Sequence, residues 1–310
     1  MVGSGIQDNN TFWTTRRFGL VLALLICVSF PRILLGIESF VFRDYSLFGY
    51  PLAHYYRECF WSGEIPLWNP FNNSGLPFLA QWNTMVCYPL SLIYLLLPLP
   101  WSLGMFCLVH LFLAGMGMFC LARTWTNNSF VAAMAGVAFA FSGVTLSCLI
   151  WPAMTAALAW SPWVLWAVPK AWSSGSKHIV HAAVISALQM LAGGPEVFLF
   201  TWITLLALFL CELGNDRASL FPKLKRISCC CLLFLGLVAV QLFHFWIFCC
   251  ILSAIVRLEE RAGPCLRGVG PIYWFLSFTR IEHPRACMSN LTRDGFHRTI
   301  LELEFLPLPS

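Results

Sequence analysis

The sequence predicts an all-α integral membrane protein with about seven transmembrane helices and a long first external loop carrying interfacial helices. Three observations carry that expectation. Hydrophobic residues make up 59% of the chain and charged residues 11%, a balance that a water-soluble domain would have to display as large apolar patches. The apolar runs are long and unbroken, without the two-residue alternation of an outer-membrane barrel, so the spans are helical. One stretch, residues 38–84, departs from the rest: it gathers Glu38, Arg43, Asp44, Arg57, Glu58 and Glu64, whereas residues 85–122 contain no Asp, Glu, Lys or Arg.

Taken in order, residues 1–17 are a polar cytoplasmic N-terminus closed by Arg16 and Arg17. The run 18–37 is long enough to cross a bilayer and lacks a small-residue cleavage site, so it reads as an uncleaved anchor. Its basic flank places the N-terminus in the cytoplasm. Pro31 predicts a kink near its end, with Arg32 reaching to the interface. Further candidate spans run over 85–99, 102–122, 130–150, 153–169, 178–193, 195–213 and 227–250.

If all of these crossed, Arg123, the Lys170 to Lys177 loop and the basic loop of Arg217, Lys223, Lys225 and Arg226 would face outward, against the positive-inside rule. The conflict disappears if 85–99 does not cross. That segment is short, is bracketed by Pro89, Pro98 and Pro100, and suits a path along the interface or a dip that returns. The chain then divides into the N-terminus 1–17, a multi-span membrane domain 18–251 with its first external loop at 38–101, and a polar tail 252–310. The outer side receives the loop, the turn at 150–152 and the LAGGPE turn at 191–196. The tail shows no helical or strand period over 263–270 and 282–298, which is expected either of a solvated tail or of a reading frame shifted soon after Gln241.

The net charge of +5 belongs to these short loops and assigns no nucleic-acid partner. Most of the 14 cysteines, among them Cys229 to Cys231, lie inside apolar runs, where they act as small hydrophobes; no paired C-x-x-C spacing marks a zinc site.

The candidate chemistry sits in the loop. Asp44, among Phe40, Phe42 and Tyr45, is a carboxylate placed to take a hydroxyl proton from an acceptor or to hold a metal, or else it pairs with Arg43 or Arg57 or caps the following helix. The run from Gly63 to Phe78, GEIPLWNPFNNSGLPF, has two Pro turns with aromatic neighbours, and such irregular backbone at membrane depth must be buried or line a wet cavity. Trp68 and Trp82 stack on a sugar face or anchor the loop in the headgroup belt; Glu64 and Asn69 are its polar groups. Glu196, after Gly193, Gly194 and Pro195, caps the next helix by its position on the helix dipole, and it also faces the side that Asp44 faces. Arg57 is the nearest external cation. His110 and Gln189 are lone polar groups within spans, expected as buried hydrogen-bonding residues.

The anchor, Asp44 soon after it, Tyr50-Pro51, GEIPLWNPFNNSGLPFLA, CYPLSLIYLLLP, LAGMGMFCLAR and AFAFSG together resemble the YfhO-type bacterial membrane proteins of the GT-C glycosyltransferase superfamily, over about residues 18 to 245. The resemblance implies a multi-pass protein of the cell membrane that transfers a sugar from a polyprenyl-phosphate donor to a cell-envelope acceptor, polymer or lipid, on the external face. It implies Asp44 as the acceptor-activating carboxylate or the holder of a divalent metal ion. Arg57, Glu64, Trp68, Asn69, Trp82 and Glu196 are then the residues around the substrate, with membrane lipids as further partners. Two other readings stay open: a lipid or polymer transport component without chemistry, and an inactive truncated relic.

Overall fold

A computed structural model describes residues 12–40, 42–71, 75–126, 128–215 and 220–262. Those residues are mostly helical, and four helices are long and apolar enough to cross a membrane: Trp101–Trp125, Ser129–Cys148 with a break inside it, Pro195–Gly214 and Leu220–Ser253. This is the fold of an all-α membrane protein.

Helix α1 (Thr15–Ser29) starts where the Thr14 hydroxyl accepts the Arg17 N–H at 3.3 Å. Its buried residues Phe18, Leu22 and Ile26 recur every four positions and form one stripe, while Leu20, Leu24 and Val28 face outward. The expected single run 18–37 is in fact two helices. The chain turns at Phe30, and α2 (Pro31–Leu34) begins at the proline, which lacks the N–H needed to continue the ladder.

The loop that follows is folded, not loose. A π-helical turn at Tyr45–Gly49 leads into α3 (Tyr50–Ser62), which ends in a Schellman cap: Gly63 is left-handed at φ 71 and the Glu64 N–H reaches the Cys59 carbonyl at 2.9 Å. A two-stranded antiparallel ribbon pairs Trp68 with Pro77 and Asn69 with Leu76. The 85–99 segment holds a short 3₁₀ turn at Pro89–Ser91 and α4 (Leu92–Leu96), five residues of helix where a crossing needs about 20.

Helix α5 (Trp101–Trp125) is the axis of the bundle, 61% buried over its apolar window. Helix α6 (Ser129–Ala140) and α7 (Gly143–Cys148) divide the expected 130–150 span, because the Ser142 hydroxyl caps α7 by accepting the Thr145 N–H at 3.2 Å. Helix α8 (Pro152–Ser174) runs beside α5 in the same direction: Cys107 lies against Leu149, and the Trp163 indole N–H donates to the Leu113 carbonyl at 2.9 Å. Helices α9 (Lys177–Leu191), α10 (Pro195–Asn215) and α11 (Leu220–Ala262) follow.

Small residues let the helices approach closely. A Cβ on Gly117 would stand 2.6 Å from the Trp163 ring, and one on Gly136 would stand 2.8 Å from the Gly115 carbonyl oxygen and 2.6 Å from Phe18. The apolar windows of α10 and of α11 are each only 11% buried, so these helices offer their surface to lipid.

The chain divides after Phe248 into two compact units. In the second, the described residues continue α11 as far as Ala262, so the helix runs into the segment expected as polar tail. The remainder of that tail, residues 263–310, lies outside the described residues.

Candidate functional site

One end of the first unit collects the loop and the two turns expected beside it. Gly49 meets the Pro152 ring 3.3 Å from where its Cβ would be, and Phe48 stacks on Trp151 with ring centroids 6.3 Å apart. Gly193, at φ 84, presses on the Trp82 carbonyl so closely that a Cβ would lie 2.1 Å from its oxygen. The Gln241 amide of α11 donates to the Leu79 carbonyl at 2.9 Å, and Phe245 lies 5.3 Å from Trp82 between centroids. Beneath the loop an aromatic core joins Tyr45, Tyr56, Phe78, Tyr88 and Tyr94 to Phe106 of α5 and to Ala153, Ala156 and Ala157 of α8.

A second set of basic residues, Arg123, Lys170, Lys223 and Arg226, lies at the opposite end. Arg123 reaches the Thr15 hydroxyl, Lys170 sits 3.6 Å above the Trp166 ring, and Arg226 donates to the Trp172 carbonyl at 2.9 Å and to that of Ser173. There the buried Lys223 pairs with Glu212 at 2.7 Å, and Trp172 donates to the same carboxylate at 2.8 Å.

Asp44 is half-buried at the start of the π-helical turn. Among the described residues its side chain has no ion pair and no hydrogen bond, and it does not cap the turn, so the pairing with Arg43 or Arg57 that its spacing allowed is not made. Arg32 pairs instead with Glu38. Arg43, next to Asp44, takes a left-handed φ of 46, and its side chain too is exposed and unpartnered among the described residues.

Arg57 is turned inward. Its Nη1 donates to the carbonyls of Tyr94 at 3.0 Å, of Leu95 at 2.8 Å and of Leu97, the end of α4. The Trp61 indole adds a bond to the Leu95 carbonyl at 2.9 Å, and the Tyr56 hydroxyl one to that of Val86 at 2.8 Å. Donors from α3 thus satisfy carbonyls at the end of α4 and in the irregular chain before it that have no helical partner of their own.

Of the remaining candidates, Asn69 is buried and its Oδ1 accepts the Phe71 N–H at 3.0 Å, which makes it a turn-former. Trp68 is exposed and lies across Gly75, where a Cβ would stand 2.5 Å from the ring; its carbonyl accepts the Tyr55 hydroxyl at 2.7 Å. Glu64 and Glu196 are exposed, the latter in the first turn of α10 as its capping position implied. Trp82 and the turn before Glu196 meet through Gly193, while Arg57 is committed to α4.

Burial raises the Tyr45 phenol above its ordinary value, with a smaller upward push from Cys107, and raises that of Tyr56. Tyr55 is pushed up to about 12, first by desolvation and then by Cys59 and the Glu64 carboxylate. These phenols stay neutral donors at physiological pH. No three His, Cys, Asp or Glu side chains gather closely enough to hold a metal ion among the described residues, so the donor set around Asp44 does not fit a protein-built metal centre.

Two buried polar arrangements were not expected as networks. The Tyr88 hydroxyl accepts the Trp160 indole N–H at 2.7 Å and lies 2.6 Å from His110 Nε2; His110 Nδ1 lies 2.7 Å from the Phe106 carbonyl. Because that carbonyl only accepts, the neutral ring carries its proton on Nδ1, and Tyr88 donates to Nε2. The second links Ser161, Gln189 and Thr201 across α8, α9 and α10. Each residue looks solitary along the chain, and the networks exist only across helices.

Comparison with known proteins gives no likeness: no family model, no curated protein and no solved structure matches this chain.

Proposed function

We propose that this chain is a membrane glycosyltransferase-like protein that moves a sugar from a polyprenyl-phosphate donor to a cell-envelope acceptor at the outer face of the membrane. The observation that carries the reading is Asp44, a half-buried carboxylate without a partner among the described residues, in an aromatic loop against which the turns at 150–152 and 191–196 also pack. In this reading Asp44 takes the proton of the acceptor hydroxyl, the oxygen attacks the anomeric carbon of the donor sugar, and the bond to the polyprenyl phosphate breaks, leaving the phosphate with the electron pair. Trp68 and Trp82 offer faces for sugar or lipid, and Glu64 and Glu196 border the same end.

Seven crossings are supported by the order in which helices join the two ends: α1, α5, the α6–α7 pair, α8, α9, α10 and α11 alternate in direction if the loop and α4 return to the side they left. Collection of Arg16, Arg17, Arg123, Lys170, Lys177, Lys223, Lys225 and Arg226 at one end supports a cytoplasmic N-terminus. Labelling of cysteines introduced at 84, 101, 124 and 173 tests that orientation.

The deciding experiment is Asp44→Asn in membranes that express the chain stably, with transfer of labelled sugar to external polymer as the readout. A general base contributes about 10²- to 10⁴-fold, so transfer should fall by that order. Unchanged transfer refutes the assignment. The Ser161–Gln189–Thr201 network gives the transport reading its one specific support, and flux of a labelled lipid-linked sugar without covalent transfer would favour it.

A further inference from the structure

Two cations of the first unit reach the same level of the bundle without an anion to share. Helices α5 and α8 run side by side in the same direction, and Gly117 of α5 meets the Trp163 ring of α8. Arg123 follows Gly117 by six residues and Lys170 follows Trp163 by seven, so at about 1.5 Å per residue they lie level to within about 2 Å along the two helices. Cys120, one turn before Arg123 on α5, feels the charge of both.

Each cation lies over an aromatic ring. The Lys170 ammonium is 3.6 Å from the Trp166 centroid, and the Arg123 guanidinium is 5.6 Å from that of Phe119. Arg123 also donates to the Thr15 hydroxyl of α1 at 3.5 Å, its single hydrogen bond among the described residues. Neither cation has an ion pair there: the pairs are Arg32 with Glu38, His54 with Glu58 and Lys223 with Glu212, and Glu212 is held by the Trp172 indole as well. Most of the five guanidinium N–H groups and the three of the ammonium are therefore open to a ligand.

Two neighbouring cations with open donors call for an anion that carries several acceptor oxygens close together, which is the form of a phosphate. The surroundings decide its source. Trp125, two residues past Arg123, and Phe130 at the start of α6 are exposed, and the apolar length of α5 ends here, so the two charges stand at the depth where aromatic side chains meet lipid headgroups. We infer that Arg123 and Lys170 form a binding site for the phosphate of an anionic lipid in the leaflet at this end of the bundle, with the Thr15 hydroxyl beside it. Such a site holds one lipid saturably, whereas a diffuse positive surface does not saturate. It is separate from Asp44 and does not depend on the transferase reading.

Native mass spectrometry of the full chain, titrated in detergent with phosphatidylglycerol or phosphatidylcholine, counts bound lipids one at a time and tests the site. The expected result is one phosphatidylglycerol bound ahead of the rest, with its apparent Kd raised about fivefold in Lys170→Gln and about 25-fold in Arg123→Gln/Lys170→Gln, and with phosphatidylcholine binding unchanged. Arg123→Lys/Lys170→Arg keeps both charges and should stay near the parent, as should Lys225→Gln, which removes an exposed cation of α11. Lys170→Gln alone carries the test if the double variant does not fold. Equal affinity for the two lipids, an unchanged Kd in the folded Gln variants, or an equal loss in Lys225→Gln overturns the inference. So does displacement of the lipid by equimolar inorganic phosphate, which would make the ligand a free anion.

Discussion

Replacing Arg57 with methionine separates a role in holding the loop from a role in holding substrate. The side chain keeps its length and loses its donors. Three carbonyls face Nη1, but that nitrogen carries two hydrogens, so two bonds are the most it makes at once. A hydrogen bond from a charged donor contributes about 1.5–3 kcal/mol net, and the low end applies because Arg57 is half-exposed and Trp61 still serves Leu95. The loss is then about 3 kcal/mol. At about 2–4 °C per kcal/mol for chains of this size class, the apparent Tm at a fixed scan rate should drop by about 6–12 °C. Arg57→Lys keeps the charge without the planar fork and should recover only part of it. If Arg57→Met melted within about 1 °C of the parent, well under the shift expected for even one lost charged bond, the cap on α4 would be energetically idle and the reasoning refuted.

Other outcomes follow from the same geometry. Gly193→Ala combines a left-handed φ with a Cβ placed 2.1 Å from the Trp82 oxygen, so it should cost about 3 kcal/mol or more, whereas Gly63→Ala, with nothing within 4 Å, should cost about 1 kcal/mol; paired thermal melts check the contrast. Tyr88→Phe strips the partner from both His110 Nε2 and Trp160 Nε1, and two orphaned buried groups should lower stability by about 3 kcal/mol in a denaturant titration. In alkali, the raised phenols of Tyr45 and Tyr56 mean that the folded chain holds protons that the unfolded chain releases near pH 10. Their contribution is complete below that pH and is lost as pH climbs above it, so melting temperature should fall from about pH 10 upward, with Tyr→Phe variants at 45 and 56 flattening the slope.

Helix positions were legible along the chain because punctuation is local. Pro152 and Pro195 stand at the first positions of α8 and α10, and Gly193 takes the positive φ that ends the preceding turn. Pro31 was legible as a disturbance, but whether a proline bends a helix or ends it depends on what the next residues meet. Here the chain leaves the ladder, and the Leu34 carbonyl is taken by the Trp101 indole at 3.0 Å. The site was less legible. Arg57 reads as a free cation until the chain folds, since its acceptors lie about 40 residues on and are backbone atoms that no side-chain pattern announces. Asp44 is the reverse case, with Arg43 beside it in sequence and still not paired to it.

The α5–α6 contact through Gly115 and Gly136 has a bearing on how this protein would change over generations. A methyl group is the smallest alteration a side chain permits, and this seam excludes it from both sides, since each Cβ would enter the other helix's backbone or the Leu22 and Phe18 side chains. Drift should therefore be sharply uneven: nearly forbidden along the middle of α5 and α6, and free among apolar residues on the lipid-facing sides of α10 and α11. A random-substitution library scored for membrane expression would trace the bundle's inner seam as a line of intolerant glycines.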